Sequence, residues 1–299
     1  MGRVPAVARH RLSVAPWRRP TGPPRRRSRR RFLPPPSAAI AAVMLTLHGG
    51  AAPVATQQPI EALVLNSAIG GVTAGLVSHA RGRPFWKALL RGAIGGATAY
   101  GGKLIVAERD DLGFLGRELV LVGSSITRNS MLGVGLLDTL TVAIGPVKVD
   151  IAPRAPGVPN VRLDVFEVGW IVYAMTRDTY SFDARRSLRS GAIVFTTREG
   201  LGFDDRGVVY ARTYPGVIVA EEAFLAASPR TFAHELIHVV QIDQLGTIVG
   251  IPLEHAALDA LGWRDAPPFR YLQLGVAHFP AVLLLSGLLE READGFEAR

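Results

Sequence analysis

The block Ala68-Ile69-Gly70-Gly71-Val72-Thr73-Ala74 returns twenty-five residues later as Ala93-Ile94-Gly95-Gly96-Ala97-Thr98-Ala99. No other feature constrains the fold of this chain so strongly. Each copy sits in an apolar segment, roughly 62–79 and 88–107, and a basic linker with Arg81, Arg83, Lys87 and Arg91 lies between the copies. In water a helical Gly costs about 1 kcal/mol relative to Ala, so paired glycines point to a place where two helix backbones come close. The repeat therefore predicts a tight Gly-rich helical hairpin within residues 56–114. Both segments are marginal in length for crossing a bilayer, which leaves two readings: a buried core hairpin, or membrane association through residues 60–107.

The formal charge of +9 suggests a nucleic-acid partner until it is placed along the chain. Residues 1–43 hold eleven Arg and no acidic residue, so the other 256 sum to −2. A body without basic excess has nothing with which to neutralise phosphates, and the expectation is no nucleic-acid partner. The Arg/Pro-rich first 36 residues read as disordered. Ser28-Arg29-Arg30-Arg31-Phe32-Leu33 is similar to the twin-arginine export consensus. The apolar run Ala38 to Leu47 and small residues near Ala51, Ala52 and Ala55 complete the outline of a signal peptide. Residues 1–55 are thus expected to be a tail and export signal, and the protein to be exported or membrane-associated, in the periplasm or cell envelope. The alternative is an upstream extension, with the true start nearer Met44.

Residues 115–299 read as one β-rich plus helical domain, which makes the fold class α+β. Leu140–Ile144, Val147–Ile151, Val161–Phe166, Trp170–Ala174, Ala192–Phe195 and Val208–Tyr210 are short β-branched or aromatic runs. Gly, Pro, Asp and Asn separate them, as in meandering antiparallel strands. The clean alternation from Val161 to Phe166 predicts a strand with one wet face. Helical periodicity returns after residue 222. Ser228-Pro229 supplies a cap and a first-turn proline for a helix over 231–245, and a second long apolar helix is expected over 271–289.

The chemistry lies in His234-Glu235-Leu236-Ile237-His238, an HExxH pattern. Positions i and i+4 of a helix lie one above the other, so both imidazoles face one side at chelating separation. Glu235, one residue along, can act on water beside a metal without ligating it. The chain has no Cys, so the ligands must come from His, Asp and Glu. Zn2+ needs a third protein ligand and an open fourth position. Gln241 and Gln244 stand where the long metzincin pattern would continue, which excludes that pattern. The candidates are Glu254 and His255, if the chain doubles back through a short loop, His278 in the apolar helix, and the cluster Glu290, Glu292 and Asp294. The cluster is the best placed, on a second helix that can pack against the first.

His234 to Gln241, HELIHVVQ, resembles the active-site helix of zincin metallopeptidases. The run Glu290 to Ala298, EREADGFEA, is similar to the segment that supplies the third ligand in ImmA/IrrE-type peptidases, although Asp294 stands where that family usually has Asn. The resemblance covers about 20 residues. It implies a gluzincin-type hydrolase of peptide or protein substrates, with Zn2+ on His234, His238 and Glu292 (alternative Glu290) and Glu235 as base. Asp294 would orient a histidine from outside the ligand shell. Tyr210, Tyr214, Tyr271 and His255 are equivalent candidates for an oxyanion donor. The competing expectation is a non-catalytic protein in which the metal is a structural clip and the β-rich segment binds a partner or lipid.

Overall fold

The computed structural model describes residues 59–152, 159–204, 207–263, 271–275 and 289–296, with single positions between these stretches. The expected export signal lies outside the described residues, as do 276–286 with His278 and most of the helix expected there.

Three helices come first: α1 (Pro59–Ala80), α2 (Phe85–Glu108) and α3 (Gly113–Leu132). Backbone contact is close at both flanks of α2. A Cβ on Gly92 would collide with the Gly70 carbonyl of α1, and one on Gly96 with the carbonyl of Asn66. Toward α3, a Cβ on Gly116 would sit 2.7 Å from the Gly102 carbonyl. The repeat accounts for half of this arrangement. A second glycine face, Gly95 and Gly102 against Gly123 and Gly116, adds α3 as a third member of the layer.

The remaining elements, in chain order, are β1 (Leu140–Ile144), β2 (Val147–Ile151), β3 (Asn160–Asp164), α4 (Val165–Met175), β4 (Tyr180–Phe182), α5 (Ala184–Ser190), β5 (Ile193–Thr197), β6 (Phe203–Asp204), β7 (Gly207–Val208), β8 (Ala211–Tyr214), β9 (Val217–Glu221), α6 (Glu222–Ala227), α7 (Pro229–Leu245), α8 (Ile251–Leu261), β10 (Leu272–Gln273) and a helix α9 over 289–296. The fold is mixed α+β. One sheet runs β1-β2-β3-β10, another β4-β5-β9-β8, and β6 with β7 forms a small ribbon. Neither large sheet is a pure antiparallel meander, because β10 lies parallel to β3 and β9 parallel to β5. Pro215 and Gly216 (φ 68) make the tight turn from β8 to β9, and the Glu167 side chain lies where a Cβ on Gly216 would project.

Three expectations are corrected here. Trp170–Ala174 belongs to a helix, not a strand. Asp164 ends β3 and accepts from the backbone N–H groups of Phe166 and Glu167, both at 3.1 Å, which caps α4. A short run apolar on all sides cannot be assigned by period. Residues 272–273 form a strand, not the start of a long helix. The alternation in β3 is real but its faces are reversed: Arg162 (5% exposed) and Asp164 point inward, while Val161 (48%) and Leu163 point outward.

The reversal extends over the whole first sheet. Lys148, Arg162, Asp164 and Gln273 share the inner face, and Ile144, Ile151, Val161 and Leu163 the outer one. Charge inside is tolerated because it is paired. Arg117 of α3 meets Asp243 of α7 at 2.6 Å and Glu167 of α4 at 3.5 Å, and Lys148 meets Asp243 at 3.1 Å and Glu167 at 3.0 Å. Burial pushes the Asp243 carboxyl up, but Arg117 and Lys148 outweigh it and hold it well below the usual range. The open edge of β1 is also covered. The Thr141 N–H donates to Ser125 Oγ at 2.9 Å, and that of Ala143 to the Glu118 carboxylate at 3.2 Å.

Candidate metal centre

Helix α7 sits between the three-helix layer and β8. Leu236, Ile237, Val239 and Val240 are fully buried, and that packing fixes which face turns outward. Pro229 opens the helix as expected. The Ser228 hydroxyl does not cap the backbone and lies instead 2.9 Å from that of Thr231. The helix runs on past Leu245 through a π-helical turn, Gly246–Gly250, into α8. A continuous helix replaces the short loop needed to bring Glu254 back. The Glu254 carboxylate is taken up by the N–H groups of Leu274 and Gly275, at 2.7 and 3.1 Å.

On the open face the Nε2 atoms of His234 and His238 are 3.0 Å apart. Glu290 Oε2, from α9, lies 3.8 Å from the first and 3.6 Å from the second. These three residues form the group whose ligand atoms can hold a metal ion among the described residues. Zn–N and Zn–O bonds of about 2.0–2.1 Å in a tetrahedron put ligand atoms about 3.3 Å apart, and the observed separations bracket that value. The donor set, two imidazoles and one carboxylate, also suits zinc.

The structure places Glu292 elsewhere. Its carboxylate is buried and meets Lys103 Nζ at 2.7 Å, Asn66 Nδ2 at 2.6 Å and Gln241 Nε2 at 2.8 Å. Burial alone would raise its pKa, but Lys103 and these donors reverse the direction and keep it ionised. On a helix, residues 290 and 292 point about 160° apart, so only one can face α7's histidines. Of the two carboxylates, Glu290, the alternative, is the one that lies with the histidines, and Glu292 does not. Asp294 lies 3.7 Å from His234 Nδ1, on the side expected for an orienting carboxylate.

Two residues near the site escaped sequence reasoning. Thr213 of β8 donates from Oγ1 to Glu235 Oε2 at 2.5 Å, which ties the expected base to the edge of the second sheet. Gln241, read only as a departure from the long metzincin pattern, has Oε1 2.9 Å from His238 Nδ1, and its Nε2 also donates to the Leu289 carbonyl at 3.0 Å. The spacing His238 to Gln241, three residues on one helix face, was the available signal. For His238, burial favours the neutral ring, but the Glu290 hydrogen bond and the charges of Glu235 and Glu290 outweigh it, so its pKa is raised. The rings of Tyr210 and Tyr214 are stacked on Phe224 and Trp170, with centroids 4.2 and 4.0 Å apart. Tyr271 is largely exposed.

Comparison with protein-family models, with curated proteins and with solved structures finds no match for this chain.

Proposed function

We propose that the chain is a zinc-dependent hydrolase of peptide bonds, of gluzincin type, with His234, His238 and Glu290 as ligands and Glu235 as base. The observation that carries this reading is the convergence of both Nε2 atoms and Glu290 Oε2 within 3.8 Å, beside a glutamate that does not ligate. A divalent cation held there would supply Lewis-acid activation of water and of the scissile carbonyl.

The residues divide the remaining work. Glu235 takes a proton from the attacking water and returns it to the leaving amine. The Thr213 hydroxyl occupies one oxygen of that carboxylate, which leaves the other to face the water. Strand β8 forms the edge of its sheet beside α7, so an extended peptide can pair along it with its backbone near Glu235.

The test uses the purified full chain. Wild type should contain zinc and cleave casein. Glu235→Gln should keep the metal and lose roughly 10²–10⁴-fold in rate, and His238→Ala should lose the metal. Equal cleavage by wild type and Glu235→Gln would end the catalytic reading. Zinc retained by an inactive wild type would leave a structural clip.

A further inference from the structure

The first two helices present apolar side chains to solvent. Trp86, Leu90 and Ile94 recur every four residues along α2 and are 72%, 65% and 53% exposed; Ile60 and Val64 of α1 are also bare but lie toward the opposite end of the antiparallel hairpin. Arg83, Lys87 and Arg91 recur at the same interval, so the basic stripe runs beside the apolar one. With Ser78, Ser130 and Gly133 these cations line a cavity of about 260 Å³ that no acidic residue lines. The sequence has no Asp or Glu between Glu61 and Glu108. Part of the basic stripe serves the fold, since Arg91 donates to the Val134 carbonyl at 3.3 Å and Arg83 lies over Gly133, where α3 ends. That role does not account for Lys87 or for the bare Trp86 and Leu90.

We infer that the turn end of the α1–α2 hairpin docks on an anionic phospholipid membrane. A headgroup phosphate enters the Arg83–Lys87–Arg91 cavity, and Trp86 and Leu90 enter the acyl boundary. Apolar area and adjacent positive charge are the two signals that stable interfacial binding requires. A free phosphate would use the cavity but leave the apolar stripe in water. The inference does not depend on the hydrolase reading.

The Arg-rich residues 1–43 would themselves attract anionic lipid, so the readout must be local to Trp86. The full chain is mixed with vesicles of phosphatidylcholine, or of phosphatidylcholine with phosphatidylglycerol, made with brominated acyl chains that quench nearby tryptophan. Emission lost in wild type but not in Trp86→Phe reports that ring. The expected result is quenching of Trp86 only by the anionic vesicles, unaffected by millimolar inorganic phosphate. Arg83→Glu with Lys87→Glu should weaken it by about 25-fold or more, at about fivefold per cation removed. Leu90→Ser should weaken it as well. Equal quenching in wild type and Trp86→Phe, or quenching indifferent to lipid charge, overturns the proposal. So does inorganic phosphate that abolishes it, which marks a free-anion site.

Discussion

The carboxamide oxygen of Gln241 sits 2.9 Å from Nδ1 of His238, and its orientation is fixed from behind. Gln241 Nε2 faces the Leu289 carbonyl and the Glu292 carboxylate, both acceptors. The oxygen must therefore point at the imidazole, which donates from Nδ1 and keeps its Nε2 lone pair for a metal. Gln241→Leu removes this constraint at little change in volume. Zinc affinity should fall 10–100-fold, measured by competition with a chelator. The nitrogen shifts of His238 should move from a single tautomer to a mixture.

Protons compete for the same lone pair. In the metal-free protein the imidazolium beside Glu290 contributes stability that is fully present below the unfolded value near 6.5 and is lost as pH rises through the higher folded value. Metal binding runs the other way, because it needs the neutral ring. The rise in melting temperature caused by zinc should therefore be small at mildly acid pH and grow through and above neutrality. A zinc effect independent of pH would show that His238 is not a ligand.

The convergence of the His234 and His238 rings was legible because the spacing is itself the geometry: residues four apart on a helix present both rings together wherever the helix lies. The partner carboxylate was legible only as a cluster. Which of Glu290 and Glu292 turns toward the histidines depends on how α9 rolls against α1 and α2, and that is decided by Lys103 and Asn66, 189 and 226 residues earlier in the chain. A lone Lys in an apolar Gly-rich segment was a sign of a buried partner, but it did not name one. The second glycine face of α2 and the reversed faces of β3 depend likewise on partners that no local pattern reveals.

Lys103 and Glu292 form a nearly sealed ion pair, 2% and 6% exposed. Removing one partner leaves the other charged in the interior. Lys103→Met should destabilise by about 3–5 kcal/mol in denaturant unfolding. Adding Glu292→Gln should recover much of that, because a neutral amide replaces the stranded carboxylate. If the double variant is no better than the single one, the loss comes from packing.

Glu118 faces the edge of β1 from α3, and burial pushes its carboxyl up to about 7 despite the Ala143 N–H and Arg117 nearby. A folded pKa above the unfolded one means that the native state holds the proton longer. Stability falls as pH rises from about 4.5 to about 7 and then levels off. Glu118→Gln keeps an acceptor for Ala143 without the charge. It should be nearly neutral at pH 5 and stabilising at pH 8, by on the order of 1–3 kcal/mol. Thermal unfolding at the two values checks the crossing.

The reversed sheet gives a comparison within one strand. Val161 is half exposed on the outer face, whereas Arg162, its neighbour, is buried, with Nη2 2.9 Å from Asp150 and Nη1 3.0 Å from Gln273. Ordinary patterning assigns the larger cost to the apolar residue. The observed faces predict the opposite order. Val161→Thr should stay within about 0.5 kcal/mol of wild type. Arg162→Leu strips Asp150 of a near partner, with Arg128 at 3.6 Å left to compensate in part, and should cost about 3 kcal/mol or more. Denaturant midpoints of the two variants decide it: a costlier Val161→Thr would mean that β3 sits one residue out of this register.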